Sequence, residues 1–201
     1  MTAVQAHGEF YEDLKTREYT GFGKEEYDSM KKNGYTSAMD LVEGLYVDRN
    51  CSIKVTKNEK VDCGDILRRM SEHDYTIIIG QWRQDGDYKV FHTEYNFVIK
   101  PQDYDKLWGT MTYEQVKEFD KYVKAYSGDN KDRDARKKER EDYKDNISDK
   151  NALMNIHPKL SGKQLRVQCS FKIDKMIAAG VEYTKKDINI EVYSPSRKFN
   201  K

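Results

Sequence analysis

The fold is decided by residues 75–99, which open with the run YTIIIGQW at 75–82 and return as YKVFHTEYNFVI at 88–99. The first run is mostly apolar, as is typical of a strand that is buried on both faces. Asp85 and Gly86 supply turn chemistry between the two runs, and Pro101 ends the second run. These residues predict a β-hairpin whose first strand is fully buried.

The chain before this hairpin is predicted to contain helices and a shorter hairpin. The first 35 residues indicate helix, and a second helix over about residues 24–32 ends at Asn33 and Gly34. Residues 41–47 (LVEGLYV) and 51–55 (CSIKV) indicate two strands that pair through a turn. Residues 64–72 (GDILRRMSE) indicate a short helix packed against that pair.

The chain after residue 100 is predicted to add one clear helix and two strands. Thr112 and Gln115 have the spacing of a capping box, which opens a helix to about Tyr126. Strand patterns cover 165–173 and 188–193. We therefore expect one α+β domain over residues 1–201, with a central mixed or antiparallel sheet of five to six strands flanked by helices.

A charged excursion at about residues 127–150 interrupts this pattern. Between Asp129 and Lys150 the chain has eight acidic and eight basic residues, with Ile147 as the branched aliphatic residue. The segment is therefore predicted to be a solvated helix or a mobile excursion, and its balanced charge argues against a simple polyanion-binding tail.

The overall composition limits the classes of function. The 201 residues include 36 basic and 35 acidic side chains, for a net charge of +1, so a surface that binds nucleic acid must be local.

Three widely spaced cysteines and four scattered histidines argue against a zinc site and a disulfide scaffold, and they favour a reducing compartment. No stretch approaches 18 apolar residues, and the first ten residues lack a signal-peptide core. We expect a cytoplasmic protein of bacterial or viral origin with no membrane association.

A group of charged and polar residues that begins at Asp40 indicates phosphodiester hydrolysis. Eleven residues separate Asp40 from Ser52, and strand alternation places Ser52 and Lys54 on one face. Asp65 follows at the start of the predicted helix. Hydrolysis of a phosphodiester needs carboxylates that hold Mg²⁺ and a cation that stabilises charge on the phosphate. Asp40, Lys54 and Asp65 are candidates for these roles.

This pattern resembles the PD-(D/E)XK nucleases, which include most type II restriction endonucleases. The resemblance covers residues 36–70 and the segment HPKLSGKQLRVQCSF at 157–171. It implies a restriction-endonuclease-like core, Mg²⁺ as cofactor, sequence-specific cleavage of double-stranded DNA, and a homodimer matched to palindromic sites.

The sequence departs from the family pattern at two positions. Met39 replaces the usual proline, and Ser52 stands where the family has Asp or Glu. The resemblance implies that Asp65 is a displaced second acid beside Asp40, with Glu43 or Asp62 as substitutes for that role.

A DNA-facing surface is predicted near the C-terminus. Residues 157–175 contain five basic side chains and the single acid Asp174. Lysine and arginine suit phosphates, whereas arginine, glutamine and serine suit base edges. The candidate DNA-binding residues of this segment and of the helix after Asp65 are Arg68, Arg69, Lys163, Gln164, Arg166 and Gln168.

Each candidate also has an ordinary structural explanation. Asp40 can cap an element, Lys54 can be a solvent-facing strand lysine, and Asp65 can be a favourable charge at a helix N-terminus. The basic strand can be a protected sheet edge. The alternative function is a non-catalytic nucleic-acid-binding or viral structural protein. No phosphate-binding glycine loop, G-x-S-x-G elbow or dinucleotide fingerprint is present.

Overall fold

The computed structural model describes residues 6–32, 39–125, 133–159 and 165–195. Within them the chain is α+β, as the sequence predicts. The strands are β1 (Cys51–Thr56), β2 (Lys60–Asp65), β3 (Tyr75–Asp85), β4 (Tyr88–Ile99), β5 (Asn155–Lys159), β6 (Arg166–Lys172) and β7 (Tyr183–Tyr193). The helices are α1 (Ala6–Thr20), α2 (Lys24–Met30), α3 (Ile66–Met70), α4 (Tyr104–Trp108), α5 (Tyr113–Lys124), α6 (Arg133–Ile147) and α7 (Ile173–Ala178).

The chain divides into two compact units. The first comprises Met1–Glu59, Asp74–Ile99 and Val181–Lys201, and the second comprises Lys60–His73 and Lys100–Gly180. The described strands form two sheets of four and three strands, so the expected central sheet of five to six strands is wrong. Two of the strands, β2 and β5, escaped prediction because their sequences KVDCGD and NIHPK are short and polar or contain proline.

The first unit has a mixed sheet in the order β1-β3-β4-β7, with β1 parallel to β3 and the other neighbours antiparallel. The predicted hairpin over residues 75–99 forms, and Ile77, Ile78 and Ile79 are all buried. Helix α1 packs on this sheet through Tyr11, whose ring stacks on Phe91 with centroids 4.6 Å apart. The core cluster of this unit consists of Tyr11, Tyr27, Leu41, Cys51, Ile53, Ile78 and Phe91.

The predicted hairpin of residues 41–55 does not form. Leu41 makes one antiparallel bridge with Cys51, while β1 pairs in parallel with β3. The intervening residues turn because Gly44 and Tyr46 have φ values of 79° and 64°, which no strand accommodates. Residues 41–47 are apolar enough to predict a strand, but the positive φ of Gly44 makes them a turn.

The second unit has an antiparallel sheet in the order β2-β6-β5 and five helices among its described residues. The capping box at Thr112 is confirmed, since Thr112 Oγ1 accepts from Gln115 N and the Gln115 side chain accepts in return. Helix α6 lies in the predicted charged excursion. It packs against α5 because Tyr143 stacks on Phe119 with centroids 4.8 Å apart. The described part of the excursion therefore contains a helix with one packed face.

No helix of the described residues has the length and apolar character that crossing a bilayer requires.

Candidate active site

The backbone before β1 holds Asp40 against the outer edge of that strand. Asp40 N donates to Cys51 O at 2.9 Å, and Lys31 Nζ donates to Asp40 O at 2.8 Å. The bridge between Leu41 and Cys51 continues this contact. Because the inner edge of β1 pairs with β3, its outer edge offers N–H groups to this preceding segment. Local backbone pairing therefore positions the Asp40 carboxylate.

The Asp40 carboxylate lies at the centre of a small polar cluster. Its Oδ2 accepts from Ile53 N at 2.6 Å, from Ser52 Oγ at 3.2 Å and from Lys54 Nζ at 3.2 Å. Lys54 Nζ also donates to Ile53 O at 2.9 Å, so two acceptors direct the ammonium. The structure thus brings together three of the residues selected from sequence: Asp40, Ser52 and Lys54.

This cluster is partly open to solvent. The Asp40 and Lys54 side chains are 24% and 23% exposed, whereas Ser52 is only 1% exposed. A substrate atom can therefore reach the carboxylate and the ammonium, but it cannot reach the serine hydroxyl. Ser52 orients Asp40, and the ion pair presents both charges at the surface.

Glu12 is a further candidate for this site, and sequence reasoning missed it. Burial raises the pKa of the Glu12 carboxyl above its ordinary value, and the negative charge of Asp40 raises it further, while the charges of Lys24 and Lys54 oppose the rise. Glu12 also pairs with Lys24 Nζ at 3.3 Å. Helix α1 therefore brings a second carboxylate into the field of Asp40 and Lys54. Only the long-range packing of α1 on the sheet reveals this, so no local sequence signal could have found it.

The other predicted acids belong to a turn of the first unit and to the second unit. Glu43 is exposed on the turn after Asp40, and its backbone N–H donates to Asn50 Oδ1 at 2.9 Å. Asp65 and Asp62 belong to the second unit. Asp65 caps α3 by accepting from Arg68 N at 3.2 Å, which is the ordinary structural role foreseen for it. Asp62 is exposed on β2 opposite Ser170.

The predicted DNA-binding residues that the structure describes are all in the second unit. Gln168 on β6 pairs with Asp65 on β2 and with His157 on β5, and Arg166 begins β6. Arg68 is exposed, whereas Arg69 is buried at 4% exposure. The remaining two, Lys163 and Gln164, lie outside the described residues.

A basic and aromatic cluster in the first unit was also missed. Lys57 Nζ and Lys89 Nζ lie 5.9 and 4.4 Å from the ring centroid of Trp82. Lys89 is buried and its Nζ lies 2.8 Å from His7 Nδ1. Burial and then the charge of Lys89 lower the pKa of His7 to about 4, so at neutral pH the neutral imidazole accepts from the ammonium. Lys54 lies in β1 and Lys57 directly follows its last residue, so two lysines lie near the end of this strand.

Within the described ranges, no group of three or more His, Cys, Asp or Glu side chains has the spacing of a metal site. The carboxylates of Asp40 and Glu12 interact electrostatically and are the candidate oxygen ligands in this part of the chain.

Comparisons of the chain with models of known families, with curated proteins and with solved structures find no match.

Proposed function

We propose that this protein is a Mg²⁺-dependent endonuclease that hydrolyses phosphodiester bonds in double-stranded DNA, in the manner of a type II restriction enzyme. The observation that carries the proposal is the convergence on one exposed strand edge of the Asp40 carboxylate and the Lys54 ammonium, 3.2 Å apart, with Glu12 in their field. The Asp-x(11)-Ser-x-Lys pattern and its resemblance to the PD-(D/E)XK nucleases support the same function.

The donor set fits a magnesium ion. Mg²⁺ takes oxygen ligands, and it is usually held by one or two carboxylates together with water and substrate phosphate. Asp40 and Glu12 supply two carboxylates whose mutual repulsion helps to raise the pKa of Glu12. Asp40 and Glu12 are the residues that would hold the ion, because its positive charge would offset their repulsion. When bound, the ion supplies an acidified water and neutralises charge on the phosphate.

The chain's own residues account for the remaining requirements. Lys54 holds a positive charge at the strand edge, where it stabilises the negative charge that develops on the phosphate during attack. Ser52 and the N–H of Ile53 orient the Asp40 carboxylate through the hydrogen bonds described above. Ser52 is therefore a positioning residue, which explains how the site tolerates serine where the family has an acid.

Two residues compete for the role of second acid. Glu12 is favoured because its carboxyl senses the charge of Asp40 within the same unit. Asp65, the acid expected from the sequence, already serves as the cap of α3. The roles of Glu43 and Asp62 as substitutes remain proposals of the same kind.

Recognition of DNA requires cations and base-reading groups beyond the Asp40 cluster. Lys57, which is exposed, offers an ammonium group to a backbone phosphate in the first unit. In the second unit, the described candidates whose side chains are at least partly exposed are Arg68, Arg166 and Gln168, whereas Arg69 is buried. A homodimer that reads a palindromic site is the assembly proposed with this function.

The test is incubation of the protein with long duplex DNA in Mg²⁺ or in EDTA. We expect discrete fragments with Mg²⁺ alone, and their loss in Asp40→Asn. Asp85→Asn is the matched control, because Asp85 is an exposed aspartate at the far end of β3. DNA binding with no cleavage in either buffer would contradict the proposal and favour the non-catalytic nucleic-acid-binding alternative.

A further inference from the structure

Strand β7 lies at one edge of the sheet in the first unit. It pairs with β4 on one side, and no described strand pairs with its other side. The opposite edge of the sheet differs, because the segment of Asp40 and Leu41 lies against β1 there. The outer side of an edge strand presents backbone N–H and C=O groups that can pair with a further strand. The outer edge of β7 is therefore a place where another chain can extend the sheet.

The strand is long, and its side chains are accessible. It spans the eleven residues Tyr183–Tyr193, whereas a common strand has roughly five or six. All of its odd-numbered residues, which share one face of the strand, are exposed. The other face carries three aliphatic side chains that pack on the core cluster yet are only half-buried, namely Ile188, Ile190 and Val192. A strand added beside β7 would cover more of this apolar surface.

The sequence of β7 is complementary to itself in an antiparallel pair. Two copies can align so that Ile188 of one copy lies opposite Ile188 of the other. The opposed residues on the exposed face are then Tyr183 with Tyr193, Lys185 with Glu191, and Asp187 with Asn189. These pairs join two aromatic rings, an ammonium with a carboxylate, and a carboxylate with an amide donor. The two-fold axis forms each pair twice.

The neighbouring registers are less favourable. Opposed residues of a sheet share a face, so the register shifts only in steps that keep the two faces apart. With Asp187 at the axis, two Asp187 carboxylates meet, and with Asn189 at the axis, Asp187 meets Glu191. Lysines such as Lys185 often protect a sheet edge from pairing, but in the Ile188 register the charge of Lys185 meets an opposite charge. The charge pattern therefore selects one register and one partner.

We propose that the outer edge of β7 pairs with the same strand of a second copy of this chain, in the antiparallel register that places Ile188 at the two-fold axis. Two copies joined in this way share one continuous sheet, and the contact uses the same surface of both copies. The inference is drawn from β7 alone and does not rest on the proposed nuclease. If that function holds, the same pairing supplies the homodimer proposed with it.

The test is the mass of the free protein, measured by sedimentation equilibrium over a range of protein concentrations without DNA or metal. We expect the parent protein to form a dimer. Glu191→Lys places two lysines opposite each other, and Lys185→Glu places two glutamates opposite each other. Each variant should weaken the dimer at least about tenfold, because the symmetry changes two pairs at once. The double variant Lys185→Glu with Glu191→Lys exchanges the two charges and should restore the dimer.

Two controls test the surface and the register. Glu118→Lys makes the same change of charge on an exposed residue of α5, in the second unit, and should leave the dimer intact. Ile188→Cys should be cross-linked between copies by a short bismaleimide, because this position faces itself across the axis. Thr184→Cys should not be, since Thr184 faces Val192 of the other copy. The three native cysteines are buried.

The outcomes separate this inference from the proposed function. A parent protein that stays monomeric at every concentration overturns the inference. So does a dimer that Glu191→Lys and Lys185→Glu leave intact, because another surface then holds the copies together. Neither result bears on DNA cleavage, which is measured separately with Asp40→Asn. A dimer that depends on β7 but cuts no DNA supports the inference and removes the nuclease.

Discussion

Replacing Lys15 by methionine is expected to destabilise the first unit by about 3–5 kcal/mol, the usual cost of removing one partner from a buried ion pair. Lys15 and Glu94 are 2% and 3% exposed, and Lys15 Nζ pairs with Glu94 Oε2. Tyr11 Oη donates to the same oxygen at 2.7 Å. Without Lys15, the Glu94 carboxylate stays buried with Tyr11 as its main partner. Because Tyr11 and Lys15 belong to the same helix as Glu12, their contacts with Glu94 also fix the position of Glu12.

The assay is urea unfolding followed by tryptophan fluorescence. The two tryptophans lie in different units, Trp82 in the first and Trp108 in the second, so a Trp108→Phe background reports the first unit alone. Arg17→Met is the matched control on α1, because the side chains of Arg17 and Asp13 are 60% and 39% exposed and water screens their charges, so losing this pair should barely change stability. A loss in Lys15→Met no larger than in Arg17→Met would refute the reasoning.

The double variant Lys15→Met with Glu94→Gln tests the same pair from the other side. Glutamine keeps an acceptor for Tyr11 and removes the unpaired charge, so we expect recovery of about 2 kcal/mol relative to Lys15→Met.

Burial alone raises the pKa of Glu94, but hydrogen bonds from Lys15 and Tyr11 outweigh it and lower the pKa below the ordinary 4.5. The stability from this pair is therefore present above pH 4.5 and is lost as the pH falls through the lowered value.

Four further predictions concern single substitutions. Gly80→Ala should cost about 1–3 kcal/mol, because its Cβ would lie 2.6 Å from the buried Tyr11 ring. By contrast, Gly8→Ala meets only Val55 at 3.6 Å and should stabilise α1 by up to about 1 kcal/mol in the same urea assay. Lys54→Met should change the free energy of unfolding by about 1 kcal/mol or less, yet it should slow single-turnover cleavage of DNA by about 10²- to 10³-fold. A loss of activity that is fully explained by a loss of folded protein would contradict this prediction. Glu12→Gln should raise the melting temperature at pH 8 and leave it unchanged near pH 4. The pKa of Glu12 is raised in the folded state, so the ionised carboxylate destabilises the fold once the pH rises above the ordinary pKa of 4.5. Glutamine removes that charge. Melting curves that shift equally at both pH values would exclude this electrostatic explanation.

The sequence predicted those parts of the fold whose signals are local. The run at 75–82 and the capping box at Thr112 have strong local patterns, and both formed as predicted. The pairing of β2 with β6 and β5 could not be predicted, because short polar strands acquire their structure from partners distant in the chain. Likewise Gly44 and Tyr46 converted an apolar run into a turn through their backbone dihedrals, which hydrophobicity does not report.

The candidate site shows the same division. Strand alternation predicted that Ser52 and Lys54 lie on one face of the strand. In the structure both side chains donate to the Asp40 carboxylate. Glu12 is one of several acids on the first helix, and only the docking of α1 through Tyr11 and Lys15 selects it. Sequence reasoning therefore found the local half of the site, and the distant carboxylate required the packed structure.

The most direct test of the account is a Mn²⁺ titration of the free protein followed by electron paramagnetic resonance. The account predicts that the parent protein and Asp65→Asn bind one ion with similar affinity, and that Asp40→Asn and Glu12→Gln each bind it at least about tenfold more weakly. Loss of the ion in Asp65→Asn, with binding retained in Glu12→Gln, would contradict the assignment of Glu12 as the second acid beside Asp40.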